Sequence, residues 1–106
     1  MRYLHTMIRA ANLEQTLHFF VDQLGLVEAY RYENEAGRFT LVFLSAPADL
    51  DNAKTQQAPL VEITYNWDPE TYEGGRNFGH LAYQVDDIYH TCPPLLDRRV
   101  TLNRPP

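Results

Sequence analysis

The order of strands and helices that the sequence predicts constrains the fold of this chain most. Residues 2–11 alternate between two sets of side chains, which is typical of a strand, and apolar residues at helical spacing follow from Asn12 to Gly25. Three further strands are predicted at residues 26–32, 38–44 and 60–67. One complete unit therefore runs strand, helix, strand, strand, strand, and we expect an α+β fold.

The predicted helix has clear start and stop signals. Asn12 is a good N-cap, and Gln15 three residues later fits a capping box. Gly25 stands where a residue in the left-handed conformation would end the helix. The apolar positions that we expect to face the core are Leu13, Leu17, Phe20, Val21 and Leu24.

Two segments are predicted to lack regular structure. Residues 45–59 are polar, with Pro47, Pro59 and several small side chains, and we expect a mobile loop between the third and fourth strands. Residues 68–77 contain two adjacent glycines and form a connector. The chain therefore passes from the first unit into a second one through this connector.

After the connector the pattern begins again as a weak repeat. Residues 78–85 predict a strand, and Asp86 and Asp87 predict the N-cap of a short helix. We expect Pro93 and Pro94 to end or restart that helix, because proline lacks the N–H donor and clashes with the preceding turn. Three strands would still be missing, so we expect paired βαβββ modules with an incomplete second one: residues 1–67 and 78–106.

The composition excludes several classes of protein. The 106 residues carry a net charge of −5 with only 9 Lys and Arg, which makes nucleic acid or an anionic membrane a poor partner. No run of about 18 apolar residues exists, and the first residues lack the apolar core of a signal peptide. The single cysteine, Cys92, forms neither an internal disulfide nor a cysteine zinc site. We therefore expect a cytoplasmic domain.

Polar side chains stand where a buried strand face would need apolar ones. His5 and Arg9 share a face of the first strand, and Glu62, Thr64 and Asn66 share a face of the fourth. If these strands lie parallel and side by side, His5 comes near Glu62, and Arg9 comes near Asn66. The two pairs are then about 13 Å apart, since four residues along a strand separate them. The pattern predicts a metal at one pole and a bound anion at the other.

His80 is the third candidate metal ligand. It lies in the predicted strand of the second unit, at the place that His5 occupies in the first. Two imidazoles and a carboxylate suit zinc, nickel, cobalt or iron, and Arg76 lies close enough in sequence to meet a second anionic group. Taken singly, each of these residues is more often a satisfied polar or surface group. Only their joint placement indicates a site.

Three segments carry a resemblance to a known family. Residues 4–9 (LHTMIR), 62–67 (EITYNW) and 78–82 (FGHLA) resemble glyoxalase I, or lactoylglutathione lyase, of the vicinal oxygen chelate superfamily. The resemblance covers nearly the whole chain, and the stretch from Glu62 to Trp67 is its most specific part. It implies metal ligands at His5, Glu62 and His80 and glutathione contacts at Arg9, Asn66 and Arg76.

The resemblance also implies an activity. The family isomerises the hemithioacetal of methylglyoxal and glutathione to S-lactoylglutathione through an enediolate, with one divalent metal such as nickel, cobalt or zinc. Glu62 would be one catalytic carboxylate, and a glutamate beyond Pro106 would be the fourth ligand and main base. The family implies a homodimer whose sites draw ligands from both chains.

Other members of the superfamily stay open as alternatives. An extradiol dioxygenase would use two histidines and a glutamate on iron, and a metal-dependent epimerase would use a similar set. Neither needs a glutathione contact, so Arg9 and Asn66 argue against both. A non-catalytic binding or resistance module of the same fold is the alternative from a different class.

Overall fold

The computed structural model describes residues 1–106, which divide into two compact units, Met1–Gly75 and Arg76–Pro106. The first unit contains β1 (His5–Arg9), α1 (Leu13–Leu17), β2 (Val27–Asn34), β3 (Phe39–Ser45), α2 (Leu50–Gln56) and β4 (Leu60–Asn66). The second unit contains α3 (Ile88–Asp97). No helix of the chain has both the length and the apolar character that a membrane crossing requires.

The four strands form one sheet in the order β1-β4-β3-β2. β1 runs parallel to β4, while β3 is antiparallel to both of its neighbours. The predicted βαβββ unit is therefore confirmed. Its core lies on the central strands, where Val42, Leu44 and Ile63 are completely or almost completely buried, and each such side chain contributes about 1.5–3 kcal/mol by burial.

The first helix begins and ends as predicted. Asn12 has extended backbone angles, and its side chain accepts a hydrogen bond of 3.0 Å from the Gln15 N–H. After Leu17 the helix widens into a π-helical turn at His18–Gln23, which the apolar spacing did not reveal. Gly25 then adopts a φ of +92°, a conformation in which glycine carries no side-chain penalty.

The expected mobile loop at residues 45–59 is wrong. A 3₁₀ turn at Pro47–Asp49 leads into α2, whose Ala53 is completely buried against Phe43 and Leu60. Arg2 Nη1 donates a 2.7 Å hydrogen bond to the carbonyl of Gln56 at the end of α2. Ala53 is the one buried residue of this helix, and a single apolar position gives no periodic pattern from which the sequence could predict a helix.

The second unit differs from expectation in two respects. Residues 78–85 form no strand, because the unit holds no other strand with which their backbone could pair. α3 continues through Pro93 and Pro94 instead of ending there. The prolines remove only the donors to the Tyr89 and His90 carbonyls, and both of those residues are exposed to water. The predicted N-cap is confirmed, since the Asp87 side chain accepts from the Tyr89 N–H.

Candidate metal and substrate site

The first pole of the site is a close pair of side chains on neighbouring parallel strands. His5 Nε2 lies 2.7 Å from Glu62 Oε2. His5 lies opposite Leu60 in the strand register, and Met7 lies opposite Glu62, so the imidazole reaches along the sheet by two positions. The His5 side chain is 35% exposed and that of Glu62 is 12% exposed. The prediction that these residues meet is confirmed.

Neighbouring side chains hold this pair in place. The His5 ring contacts Phe43 edge to face at 5.6 Å, and Phe43 in turn stacks on Tyr30 at 4.5 Å. Thr64 Oγ1 donates a 3.3 Å hydrogen bond to Glu62 Oε1, so both carboxylate oxygens of Glu62 have partners. Burial, together with the charge of Glu62, raises the pKa of Tyr30. The sheet thus presents an ordered imidazole and carboxylate side by side.

The donor set of this pair fits a divalent metal. A neutral imidazole nitrogen and a carboxylate oxygen are ligands that zinc, nickel and cobalt accept. Two ligands are too few for a protein metal site, and nowhere in the chain do three His, Cys, Asp or Glu side chains form a group that could hold a metal ion. The His5–Glu62 pair therefore supplies part of a coordination sphere.

Two further predicted site residues belong to the second unit. His80 and Arg76 are both exposed residues of the Arg76–Pro106 unit. His80 lies in a segment without regular structure rather than in a strand. The metal-ligand role of His80 and the substrate contact of Arg76 stay predictions.

The second pole lies on the same sheet face as the first, toward the end of β1 and β4. Arg9 lies opposite Thr64 in register and is exposed, while Asn66 is half-buried two residues further along β4. Arg9 takes part in none of the ion pairs of the chain. A guanidinium and a side-chain amide are thus placed on one face, as predicted, with donors suited to a carboxylate.

Two residues of this pole were missed from the sequence. The single hydroxyl hydrogen of Tyr72 is shared between two acceptors, Asn66 Oδ1 at 3.4 Å and Glu70 Oε2 at 3.2 Å. Burial and then Glu70 raise the pKa of Tyr72, and the positive charge of Arg9 acts in the opposite direction. The residues lie in the connector after β4, where no periodic pattern exists to mark them.

The fold and these two poles define a class of protein: a βαβββ module with a histidine–glutamate pair and an arginine and an asparagine on one sheet face. A sequence model of the Glyoxalase/Bleomycin resistance protein/Dioxygenase superfamily matches residues 2–106. The chain belongs to this superfamily, and the resemblance in the sequence is confirmed.

Curated relatives of the chain are named lactoylglutathione lyase or probable lactoylglutathione lyase. A lactoylglutathione lyase of Neisseria meningitidis is 41% identical over 92 residues, which cover 87% of this chain and 62% of the relative. A probable lactoylglutathione lyase of Synechocystis is 37% identical over 103 residues, covering 97% of this chain and 74% of the relative. The chain thus spans about three fifths of the length of the Neisseria relative.

A solved structure agrees with the fold. The trypanothione-dependent glyoxalase I of Leishmania major superposes with a TM-score of 0.84 at 26% identity, covering 100% of this chain and 72% of that chain. The predicted fold class is therefore confirmed over the whole chain. The likeness extends to the Arg76–Pro106 unit, which lacks strands of its own.

Proposed function

We propose that the protein acts as a lactoylglutathione lyase, which isomerises the hemithioacetal of methylglyoxal and glutathione to S-lactoylglutathione. The observation that carries the proposal is the His5–Glu62 pair, 2.7 Å apart, on a module whose relatives bear that name. Arg9 and Asn66 on the same face supply the contacts that a peptide carboxylate needs. The reaction belongs in the cytoplasm, where glutathione keeps thiols reduced.

His5 and Glu62 would hold the metal of this enzyme. A divalent ion such as nickel, cobalt or zinc supplies Lewis-acid stabilisation of the negative charge that develops on the substrate oxygens. Both side chains must be deprotonated to bind it, so affinity for the ion falls at acid pH. The Phe43 and Thr64 contacts keep the imidazole and the carboxylate oriented before the ion arrives.

Glu62 also provides a carboxylate beside the reacting carbons. Its side chain is only 12% exposed, so bulk water has little access to the proton that it handles. We assign Glu62 a share in moving the proton from the carbon next to sulfur to the adjacent carbon, through an enediolate. The Arg9 and Asn66 side chains bind the γ-glutamyl end of the substrate, and Arg76 binds the glycyl carboxylate.

The proposed site draws its metal ligands from two copies of the chain. The single chain offers only two adjacent metal donors, while His80 is exposed on the second unit. We therefore propose a homodimer in which His80 of one subunit joins His5 and Glu62 of the other.

Mixing two inactive variants tests this sharing. His5→Ala and His80→Ala each lack one ligand in every site of their own homodimer. In a mixed dimer one of the two sites is intact, so re-association of equal amounts restores about a quarter of wild-type activity. A mixture that stays inactive while size measurements show mixed dimers contradicts the shared site.

The activity itself is tested by product formation. The purified protein, loaded with nickel, cobalt or zinc, is given methylglyoxal and glutathione, and S-lactoylglutathione is measured. Glu62→Gln lowers turnover by about 10²-fold or more. Glu28→Gln is the control, because Glu28 pairs with Arg31 on the exposed side of β2. No product from the wild type with any of these metals contradicts the proposed function.

A further inference from the structure

The anion-binding pole contains a negative charge that a simple carboxylate site would not have. The Tyr72 hydroxyl reaches both Asn66 Oδ1, at 3.4 Å, and Glu70 Oε2, at 3.2 Å. The distance between Asn66 Oδ1 and Glu70 Oε2 is therefore at most the sum of these two hydrogen-bond lengths. Glu70 is exposed and forms no ion pair in the chain, so its charge is available to a ligand.

A cation stands at the same pole. Arg9 lies on β1 beside Thr64 and on the same sheet face as Asn66. Its charge opposes the rise in the pKa of Tyr72 that burial and Glu70 cause. The pole thus combines one guanidinium and one carboxylate with an amide and a hydroxyl.

We propose that Glu70 and Tyr72 bind an α-ammonium group, so that this pole recognises the whole α-amino-acid head group of the γ-glutamyl residue and not its carboxylate alone. The inference rests on the proposed function, which brings a γ-glutamyl peptide to Arg9 and Asn66. In this inference Glu70 and Tyr72, which lie in the connector after β4, give the site its specificity for the α-ammonium group.

The donor and acceptor inventory matches a zwitterion. The Arg9 guanidinium and the Asn66 amide N–H groups donate to the α-carboxylate. An ammonium donates three hydrogen bonds, and Glu70, Asn66 Oδ1 and the Tyr72 hydroxyl oxygen are its available acceptors. Tyr72 donates to the Asn66 oxygen, which leaves the amide N–H groups of Asn66 available to the carboxylate. A bare carboxylate at this pole would meet repulsion from Glu70 instead.

The test compares two probes that differ only in the ammonium. S-methylglutathione and its analogue with hydrogen in place of the α-ammonium are titrated into the metal-loaded protein by calorimetry. The wild type is expected to bind S-methylglutathione about threefold to tenfold more tightly than the analogue. In Glu70→Gln this ratio falls toward one, and in Tyr72→Phe it decreases because the carboxylate and amide lose their shared hydrogen bond.

Glu73→Gln is the matched control, since Glu73 is an exposed carboxylate of the same connector without a hydrogen bond to the site, and it keeps the wild-type ratio. If Glu70 had only a structural role, Glu70→Gln would weaken the binding of both probes equally. The ratio of the two affinities would then be unchanged, and that result overturns the inference. A wild type that fails to bind S-methylglutathione overturns the proposed function as well. Wild-type binding with an unchanged ratio in Glu70→Gln overturns the inference alone.

Discussion

His5 Nε2 and Glu62 Oε2 lie 2.7 Å apart although the two residues are two positions out of register on parallel strands. The contact exists because the imidazole extends along the sheet, with the Phe43 ring packed edge-on against it. Phe43 lies directly opposite Glu62 in the β3–β4 pair, so one aromatic side chain adjoins both members of the proposed metal-binding pair.

Replacement of Phe43 by leucine is expected to weaken metal binding by His5 and Glu62 strongly, while it destabilises the fold only moderately. The substitution keeps an apolar side chain beside Ala53 and Leu60, so it destabilises the fold by about 1–2 kcal/mol. The loss of the edge-to-face contact frees the His5 ring, and the metal dissociation constant rises by about 10-fold or more. Urea unfolding and metal titration measure the two effects. Phe19→Leu, on an exposed ring, leaves metal affinity at the wild-type value.

The buried face of α2 gives a prediction about the segment from residue 45 to residue 59. Ala53 is completely buried, so Ala53→Leu overpacks the contact with the sheet and destabilises the protein by about 1–3 kcal/mol. Ala48→Leu, at an exposed position in the preceding 3₁₀ turn, changes the free energy of unfolding by less than about 0.5 kcal/mol. Equal stability of the two variants, measured by urea denaturation, would show that α2 does not pack on the sheet.

Replacement of Gly25, at the end of the first helix, is expected to destabilise the protein by straining the backbone. Its φ of +92° is unfavourable for any residue with a Cβ, and nothing lies within 4 Å of the position that a Cβ would take. Gly25→Ala therefore destabilises the protein by conformational strain alone, by about 1–2 kcal/mol. Gly74→Ala is the control, because Gly74 has no positive φ and equally open surroundings. Thermal unfolding of both variants separates strain from steric conflict.

The ion pair of Arg38 and Asp68 predicts a pH dependence of stability. Hydrogen bonds and the charge of Arg38 hold the pKa of Asp68 below its usual value of 3.8. A carboxyl whose pKa is lower in the folded state stabilises the protein above the unfolded pKa, and this contribution is lost as pH falls through the folded pKa. Both side chains are exposed, so the effect is small.

Thermal unfolding of the wild type and Asp68→Asn between pH 2 and pH 7 checks this sign. The difference in Tm is expected to be constant at neutral pH and to shrink as pH falls below about 4. A difference that grows toward acid pH contradicts the assignment of the lowered pKa to Asp68.

Period-two alternation and the order of elements were sufficient to predict the βαβββ sheet and the meeting of His5 with Glu62. Such patterns are local: β1 alternates between exposed and half-buried residues, which is the period-two signal that a sequence window of a few residues contains. The Asn12 cap was readable for the same reason, since its hydrogen bond joins residues three apart.

The elements that sequence reasoning missed depend on contacts between distant residues or on context. α2 buries one alanine against Phe43 and Leu60, and the Tyr72–Glu70 pair lies in a connector without periodicity. The segment 78–85 has strand-forming residues but no strand beside it in its unit. Strand formation needs a partner, and a single sequence window does not contain that information.

Metal binding by the His5–Glu62 pair is tested most directly by measuring the nickel and zinc dissociation constants of four proteins: the wild type, His5→Ala, Glu62→Gln and the double variant. Each single substitution is expected to raise the dissociation constant by about 100-fold or more. Because both ligands serve one ion, the double variant is expected to lose less than the product of the single effects. Wild-type affinity in either single variant would contradict the assignment of a metal site to His5 and Glu62.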